Sequence, residues 1–212
     1  MGKYFEEISQ NVITAKQDKV KELTQQAIDD GVDPVEIINS GFIPGMNVVG
    51  IRFKAGDMFV PEVLMSARAM AAGMDLVKPL LLGREVPSRG KVVLGTVKGD
   101  LHDIGKNLVG MMLESAGYTV INLGVDVPAT KFLQAVKDSK PDILGMSALL
   151  TTTMLGMKDV IELLKEEGVR EQVKVIIGGA PISKEFADKI GADGYAPDAG
   201  STTELCHNLI AR

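Results

Sequence analysis

The chain is poor in the residues that build covalent or metal staples, with one cysteine and two histidines in 212 residues. One cysteine makes no internal disulfide, which suits a reducing cytoplasm. Cys206, His207 and His102 do not close a four-ligand zinc site, and no C-x-x-C-H stretch exists to attach a c-type haem. Basic clusters are also missing. A net charge of −5 and a pI near 5.2 argue against nucleic acid or an anionic membrane as the main partner. No apolar run approaches the roughly 18 residues of a membrane span. The first residues, Met1-Gly-Lys-Tyr-Phe-Glu-Glu7, lack the apolar centre of a signal peptide, and Glu6 breaks the myristoylation pattern. No repeat or low-complexity segment is present.

What remains is 45% apolar, enough for a core in one or two domains. Two rhythms divide it. Residues 1–82 read as helices alone: Tyr4 to Thr14, Asp18 to Asp30, Pro34 to about Phe53, and Pro61 to Leu82, each with apolar residues at helical spacing. Asp33 before Pro34 is an N-cap and N1 pair, with Glu36 placed for a capping box. Four helices with short connections predict a small bundle. Residues 83–90 are polar and glycine-rich, and read as a linker. From residue 91 short apolar strands alternate with helices. Strands are expected at Lys91 to Thr96, Thr119 to Leu123, Ile143 to Ser147, Val173 to Ile177 and, weakly, Gly194 to Ala196. Helices are expected at Ile104 to Ala116, Ala129 to Ser139, Thr153 to Glu167, Lys184 to Ile190 and Ser201 to Ala211. That pattern predicts an α/β domain, 91–212, with a five-stranded parallel sheet covered on both faces.

The chain is organised around Gly95-Thr-Val-Lys-Gly-Asp-Leu-His-Asp-Ile-Gly-Lys106. This stretch joins a strand to a helix, and open α/β sheets bind ligands at such joints. It is not a phosphate loop: five residues separate Gly99 from Gly105, and Asn107 replaces the Ser or Thr that would hold magnesium. Asp100 and Asp103 also put carboxylates where an anion would have to sit, and G-x-G-x-x-G is missing. The loop does offer Asp100-x-His102. A carboxylate two residues from an imidazole can hold the proton of one ring nitrogen and leave the other as a metal ligand; the plainer reading is a histidine capping a turn. If His102 binds a metal, most of the coordination sphere arrives with the metal, as in a haem or a corrin.

Asp100-x-His102-x-x-Gly105, Ser147-x-Leu149 after a gap of 41 residues, and Gly178-Gly179 after a further 28 resemble the cobalamin-binding pattern of methionine synthase and the small corrinoid methyl-carrier proteins. The resemblance extends upstream through Gly45-Met-Asn-Val-Val-Gly50 and Met58-Phe-Val-Pro61, so it covers most of the chain. It implies a flavodoxin-like sheet of order 2-1-3-4-5 under a helical cap. It implies cobalamin or a related corrinoid bound base-off and His-on, with His102 as lower axial ligand to cobalt, Asp100 hydrogen-bonded to it, and Thr153 completing the relay. Gly99, Leu101, Asp103 and Gly105 would border the corrin. Leu149 would also bind the cofactor; Ser147, Thr151, Gly178 and Gly179 would take the nucleotide tail, with Ala199 at the closing loop, while Phe53 and Val60 would cover the upper face, with Val63 nearby. For the two glycines an ordinary strand-to-loop turn is the plainer reading.

The function so implied is methyl carriage. A substrate-specific methyltransferase would load the cobalt, and a second methyltransferase would pass the methyl group to tetrahydrofolate or a thiol. A reductive activator would serve the system, and the chain would be half of an enzyme. A cobalamin-dependent mutase subunit shares D-x-H-x-x-G but lacks the cap, and a corrinoid-based sensor would want a DNA-binding region that is not seen.

Overall fold

The computed structural model describes residues 2–81 and 88–210. Most of the expected linker, 83–87, lies outside the described residues, as does the expected helix end at Leu82. The chain divides into two compact units, one built on the N-terminal helices and one on a sheet.

In the helical unit α1 is Gly2–Ile13 and α2 is Gln17–Asp29. The third expected helix is one helical path in three parts: α3, Pro34–Glu36, a π-helical turn, Ile37–Phe42, and α4, Ile43–Ala55. Pro44 explains the change of pitch. Proline within a helix offers no N–H and crowds the carbonyl four residues back; here the N–H of Ile43 bonds to the carbonyl of Ile38, five residues back, and widens the turn that precedes the ring. Asp33 caps the path by accepting from the N–H of Val35 at 2.8 Å. Helix α5, Val60–Val77, starts where Glu62 reaches back to the N–H of Phe59 at 2.8 Å, and runs into a 3₁₀ turn, Lys78–Leu81.

Glycines set the closeness of packing in this unit. A Cβ at Gly45 would stand 2.9 Å from the carbonyl oxygen of Ser9, and one at Gly73 would stand 2.7 Å from the ring of Phe42. Helices α1 and α4 therefore meet at backbone distance, and the Phe42 ring lies directly against the backbone of α5. Ile8, Val12, Val20, Ile37, Phe42 and Val49 fill the interior. Of the methionines of this unit, Met46, Met58 and Met70 are buried and fill core gaps, whereas Met65 is exposed.

In the sheet unit the elements alternate: β1 Lys91–Thr96, α6 Ile104–Ser115, β2 Thr119–Asn122, α7 Ala129–Ser139, β3 Ile143–Ser147, α8 Leu155–Glu166, a 3₁₀ turn Arg170–Gln172, β4 Lys174–Gly178, α9 Lys184–Ile190, β5 Gly194–Tyr195 and α10 Ala199–Ile210. All five strands are parallel, in the order β2-β1-β3-β4-β5. The flavodoxin-like expectation thus stands. Strand side chains alternate between two apolar layers: Val93, Leu144, Met146, Val175 and Ile177 join Phe132, Met157, Ile161 and Leu164 in one core. Phe132 is fully buried, worth about 1.5–3 kcal/mol. It fits because Gly95 has no side chain, since a Cβ there would be 2.6 Å from the ring.

In the sheet unit two helix starts differ from expectation. α8 begins at Leu155 instead of Thr153, whose hydroxyl is engaged elsewhere. α10 begins at Ala199 instead of Ser201, because Asp198 is the cap: its carboxylate accepts from the N–H of Ser201 at 2.7 Å and from the Ser201 hydroxyl at 3.0 Å. Ala199, expected in a closing loop, is the buried first residue of that helix.

Candidate functional site

In a parallel sheet the strand-to-helix loops gather at the carboxyl ends of the strands. The loop from Val97 to Asp103, between β1 and α6, sits there. It is tied down at its start, where the N–H of Val97 donates to the carbonyl of Ser147 at 3.0 Å. Gly99 carries the turn at φ +81°, a conformation that favours glycine.

Asp100 has no accessible surface, and its carboxylate is saturated. One oxygen, Oδ1, accepts from His102 twice, from the ring Nδ1 at 2.7 Å and from the backbone N–H at 3.0 Å. The other, Oδ2, accepts from the Thr153 hydroxyl at 2.7 Å and the Leu149 N–H at 2.8 Å, with the Leu150 N–H at 3.4 Å. The Thr153 hydroxyl also stands 3.1 Å from the carbonyl of Leu150, but it has one proton and the shorter, charge-assisted bond takes it. Burial alone would raise the Asp100 pKa; the bonds from Thr153, Leu149 and His102 outweigh it, under a thin covering of protein, and hold the carboxyl well below the usual range.

This fixes the state of the histidine. An ionised carboxylate only accepts, so the ring nitrogen facing it, Nδ1, carries the proton, and in the neutral imidazole the lone pair is on Nε2. The His102 side chain is 51% exposed, so Nε2 is open to a ligand. Among the described residues no group of three or more His, Cys, Asp and Glu could hold a metal ion. His102 therefore presents a single, oriented nitrogen, and a metal held there would have to bring most of its own coordination.

The loops that carry the pair, and the helix starts that follow them, bear exposed apolar side chains: Leu101, Ile104, Leu149, Leu150 and Leu155. Gly105, in the first turn of α6, faces open space, and a Cβ there would meet nothing within 4 Å. Ser147 is half-buried at the end of β3, and Thr151 is exposed in the turn after it. Gly178 and Gly179 answer to the chain's own backbone: a Cβ would stand 3.1 Å from the carbonyl oxygen of Ala196 at the first and 1.8 Å from that of Ala148 at the second, where φ is +130°. The strand-to-loop turn alone thus demands glycine at 179. Asp103 accepts from the side chain of Asn107 at 2.9 Å. In the helical unit Phe53 and Val60 are half-buried and Val63 is buried.

Sequence reading missed several residues of this region. The buried Thr96 hydroxyl donates to the carbonyl of His102 at 2.9 Å. Lys106 is nearly buried, with its ammonium between the side-chain oxygens of Asn107, at 2.6 Å, and Asn122, at 2.8 Å; burial lowers its pKa and Asp103 opposes that. Asp126 accepts from the N–H of Gly99 at 2.7 Å. A threonine, Thr96, at the end of the apolar run 92–95 was the one available hint.

Similarity to known proteins covers both units of the chain. A family model described as a B12 binding domain matches residues 90–203, and a second model of the same description matches residues 4–78. A corrinoid protein of Desulfitobacterium hafniense (strain Y51) is 45% identical over 98% of both chains. Dimethylamine corrinoid protein 1 of Methanosarcina acetivorans is 48% identical over 98% of this chain and 97% of its own. The crystal structure of the methanol:cobalamin methyltransferase complex of Methanosarcina barkeri contains a chain 35% identical, superposing with a TM-score of 0.89 over 99% of this chain and 80% of that one. A cobalamin-binding protein of D. hafniense DCB-2 follows at 33% identity and 0.79, over 95% and 96%. With both halves of its sequence matched in this way, the chain belongs to the family of B12-binding corrinoid proteins of methyltransferase systems.

Proposed function

We propose that the protein carries a methyl group between two methyltransferases on a corrinoid held base-off, with His102 Nε2 as the lower axial ligand of cobalt. The observation that carries this is the pair itself: a half-exposed imidazole whose Nδ1 proton is held at 2.7 Å by a saturated, buried carboxylate, with no second metal-ligating cluster among the described residues. A bound corrinoid would supply the chemistry, a cobalt centre able to take up a methyl group and to give it up again. Everything else is asked of the chain. Asp100 keeps the Nδ1 proton in place and Thr153 and Leu149 keep Asp100 ionised, so Nε2 remains a ligand of fixed direction. Leu101, Ile104 and Leu149 exclude water beside the ring, and Gly105 leaves room for a flat macrocycle against the first turn of α6. Glycine in a helix costs about 0.5–1 kcal/mol relative to alanine, and nothing in the chain's packing requires it there.

On this reading residues 91–212 hold the cofactor, with Gly99 and Asp103 bordering the ring and Ser147, Thr151, Gly178, Gly179 and Ala199 along the nucleotide tail. Residues 1–82 serve as the cap through Phe53, Val60 and Val63, and 83–90 as the linker, assignments that rest on the resemblance. The names of the relatives support a small methylated amine or alcohol as donor, loaded by a substrate-specific methyltransferase. A second methyltransferase acting on tetrahydrofolate or a thiol takes the methyl group, and a reductive activator restores the cobalt.

Electron paramagnetic resonance of the Co(II) form tests the ligand. Wild-type protein loaded with hydroxocobalamin and reduced by one electron shows splitting from one nitrogen, and His102→Ala loses it while still binding the cofactor. Absence of that splitting in the wild type, or its persistence in the variant, removes His102 from the role.

A further inference from the structure

The loop that carries Asp100 and His102 is gripped from outside by one segment, Asn122 to Asp126, which leaves the end of β2. At one end of the loop Asp126 makes two bonds: its carboxylate Oδ1 accepts from the N–H of Gly99 at 2.7 Å, and its own N–H donates to the carbonyl of Asp100 at 3.0 Å. These flank the peptide that joins Gly99 to Asp100. At the other end Asn122 accepts from the ammonium of Lys106 at 2.8 Å, and its amide donates to Asn107 at 3.1 Å, which binds the first turn of α6 to the same segment. Asn122 Oδ1 also accepts from the N–H of Gly124 at 3.0 Å, so the two grips belong to one folded piece.

Asp126 adopts φ +52°, the left-handed region, where a residue with a side chain is uncommon and aspartate is among those that tolerate it best. An exposed turn position of that φ would be filled without strain by glycine. The aspartate is held there while its carboxylate and its N–H are both spent on the neighbouring loop, and backbone held in a sparsely populated region concentrates at working sites.

We propose that Asp126 is a positioning residue for the Asp100–His102 pair: by holding the N–H of Gly99 and the carbonyl of Asp100 it sets the direction in which the Asp100 carboxylate meets the imidazole. This extends the reading of His102 as a metal ligand, but the clamp itself exists without a cofactor. The two are therefore separable by experiment.

The test is the tautomer ratio of His102 in the full chain without cofactor, read from the ¹⁵N shifts of its two ring nitrogens at a pH where the ring is neutral. Three variants keep it decisive. Asp126→Gly relieves the backbone and removes the carboxylate; Asp126→Asn keeps an acceptor for Gly99; Asp100→Asn is the control that disturbs the pair directly. In wild type the Nδ1–H form dominates. In Asp126→Gly the ratio of Nδ1–H to Nε2–H falls roughly three- to tenfold, the effect of losing about one hydrogen bond's worth of preference, and Asp126→Asn restores most of it. Amide spectra of the strands, unchanged in all three, show that the sheet is intact. An unchanged ratio in Asp126→Gly overturns the proposal, and so does an equal fall in Asp126→Gly and Asp126→Asn, which would assign the effect to charge instead of the clamp. Loss of the Co(II) nitrogen splitting in wild type, with the tautomer result intact, would sink the metal-ligand reading and leave the clamp standing.

Discussion

Two aspartates in the sheet unit are held in nearly the same way and serve different ends. Asp100, at the carboxyl end of the sheet, is buried, takes bonds from backbone N–H groups and side chains, and is kept ionised. Asp193, at the opposite end, accepts from the N–H of Val175 at 2.8 Å and from Arg170 at 2.6 Å; burial would raise its pKa, and the bond from Val175 and the Arg170 guanidinium outweigh it. The difference lies in the partner. Arg170 is itself buried: it spends further N–H groups on the carbonyls of Val173 and Gly191, and its Nε, which has no partner, is sealed inside, so none of it faces a ligand. His102 is half exposed and has one ring nitrogen free. A buried, ionised carboxylate is therefore no mark of a site by itself; a site needs a partner with unspent valence facing out.

The largest expected effect comes from the closed end. Asp193→Ala leaves a buried guanidinium unpaired and costs about 3–5 kcal/mol of stability, measured as the shift of the urea midpoint, while the nitrogen splitting of the Co(II) form stays as in wild type. If the splitting changes as well, the two ends are coupled and the contrast between them fails.

Next is Asp100. Its replacement by alanine strands the Leu149 and His102 N–H groups and the Thr153 hydroxyl, at about 2–3 kcal/mol, and removes the preference for the Nδ1–H tautomer. pH separates the charge from the shape. An unfolded aspartate titrates near 3.9, on the order of the model-peptide value. Both Asp100 and Asp193 titrate lower when folded. Each contributes stability that is complete above about pH 4 and is lost as the pH falls through the folded value. Asp100→Asn removes one of these groups, so its stability falls less steeply below about pH 4 than that of wild type. Parallel acid limbs, followed by urea unfolding at successive pH values, would show that Asp100 is not held ionised in the folded chain.

Much of this was legible in the sequence because the fold repeats short apolar strands and spaced helices, and because Asp100 and His102 are two residues apart, near enough for a local pattern. The pairs that escaped are distant in the chain. Gly99 meets Asp126 across 27 positions and Lys106 meets Asn122 across 16, between elements that only the sheet brings together. An aspartate in a turn has no pattern that reveals a left-handed φ. The π-helical turn before Pro44 escaped because apolar spacing persists through it, and Ala199 was misplaced because the capping role of Asp198 was not read. At Gly179 the reason for glycine lay in the carbonyl of Ala148, which only the folded chain supplies.

A smaller effect probes the relay. Thr153→Val keeps the methyl group and loses the hydroxyl bond to Asp100, at about 1 kcal/mol, whereas Thr153→Ser keeps the bond and changes the urea midpoint little. Equal shifts for the two would mean that the methyl group, 3.6 Å from where a Cβ on Gly99 would stand, matters as much as the hydroxyl, and the relay would carry no special weight.

The smallest stability effect, and the one that bears most directly on what the open end is open to, is at Gly105. Gly179 and Gly105 are both in the family pattern, yet the chain demands only the first: its φ is +130° and a Cβ would stand 1.8 Å from a carbonyl oxygen. At Gly105 the backbone is helical and a Cβ would meet nothing within 4 Å. Gly105→Ala therefore leaves the cofactor-free protein as stable as wild type or more stable by up to about 1 kcal/mol, since alanine loses less freedom on entering a helix. A flat macrocycle laid against the first turn of α6 would be pushed off by the added methyl group, and overpacking of one methyl group typically costs on the order of 1–3 kcal/mol, so hydroxocobalamin binding, followed by absorbance, weakens by roughly tenfold. A gain in stability together with weaker binding places the cofactor over Gly105. Unchanged binding puts the ring elsewhere on the apolar surface around His102, and a loss of stability would mean that this glycine, like Gly179, serves the chain itself.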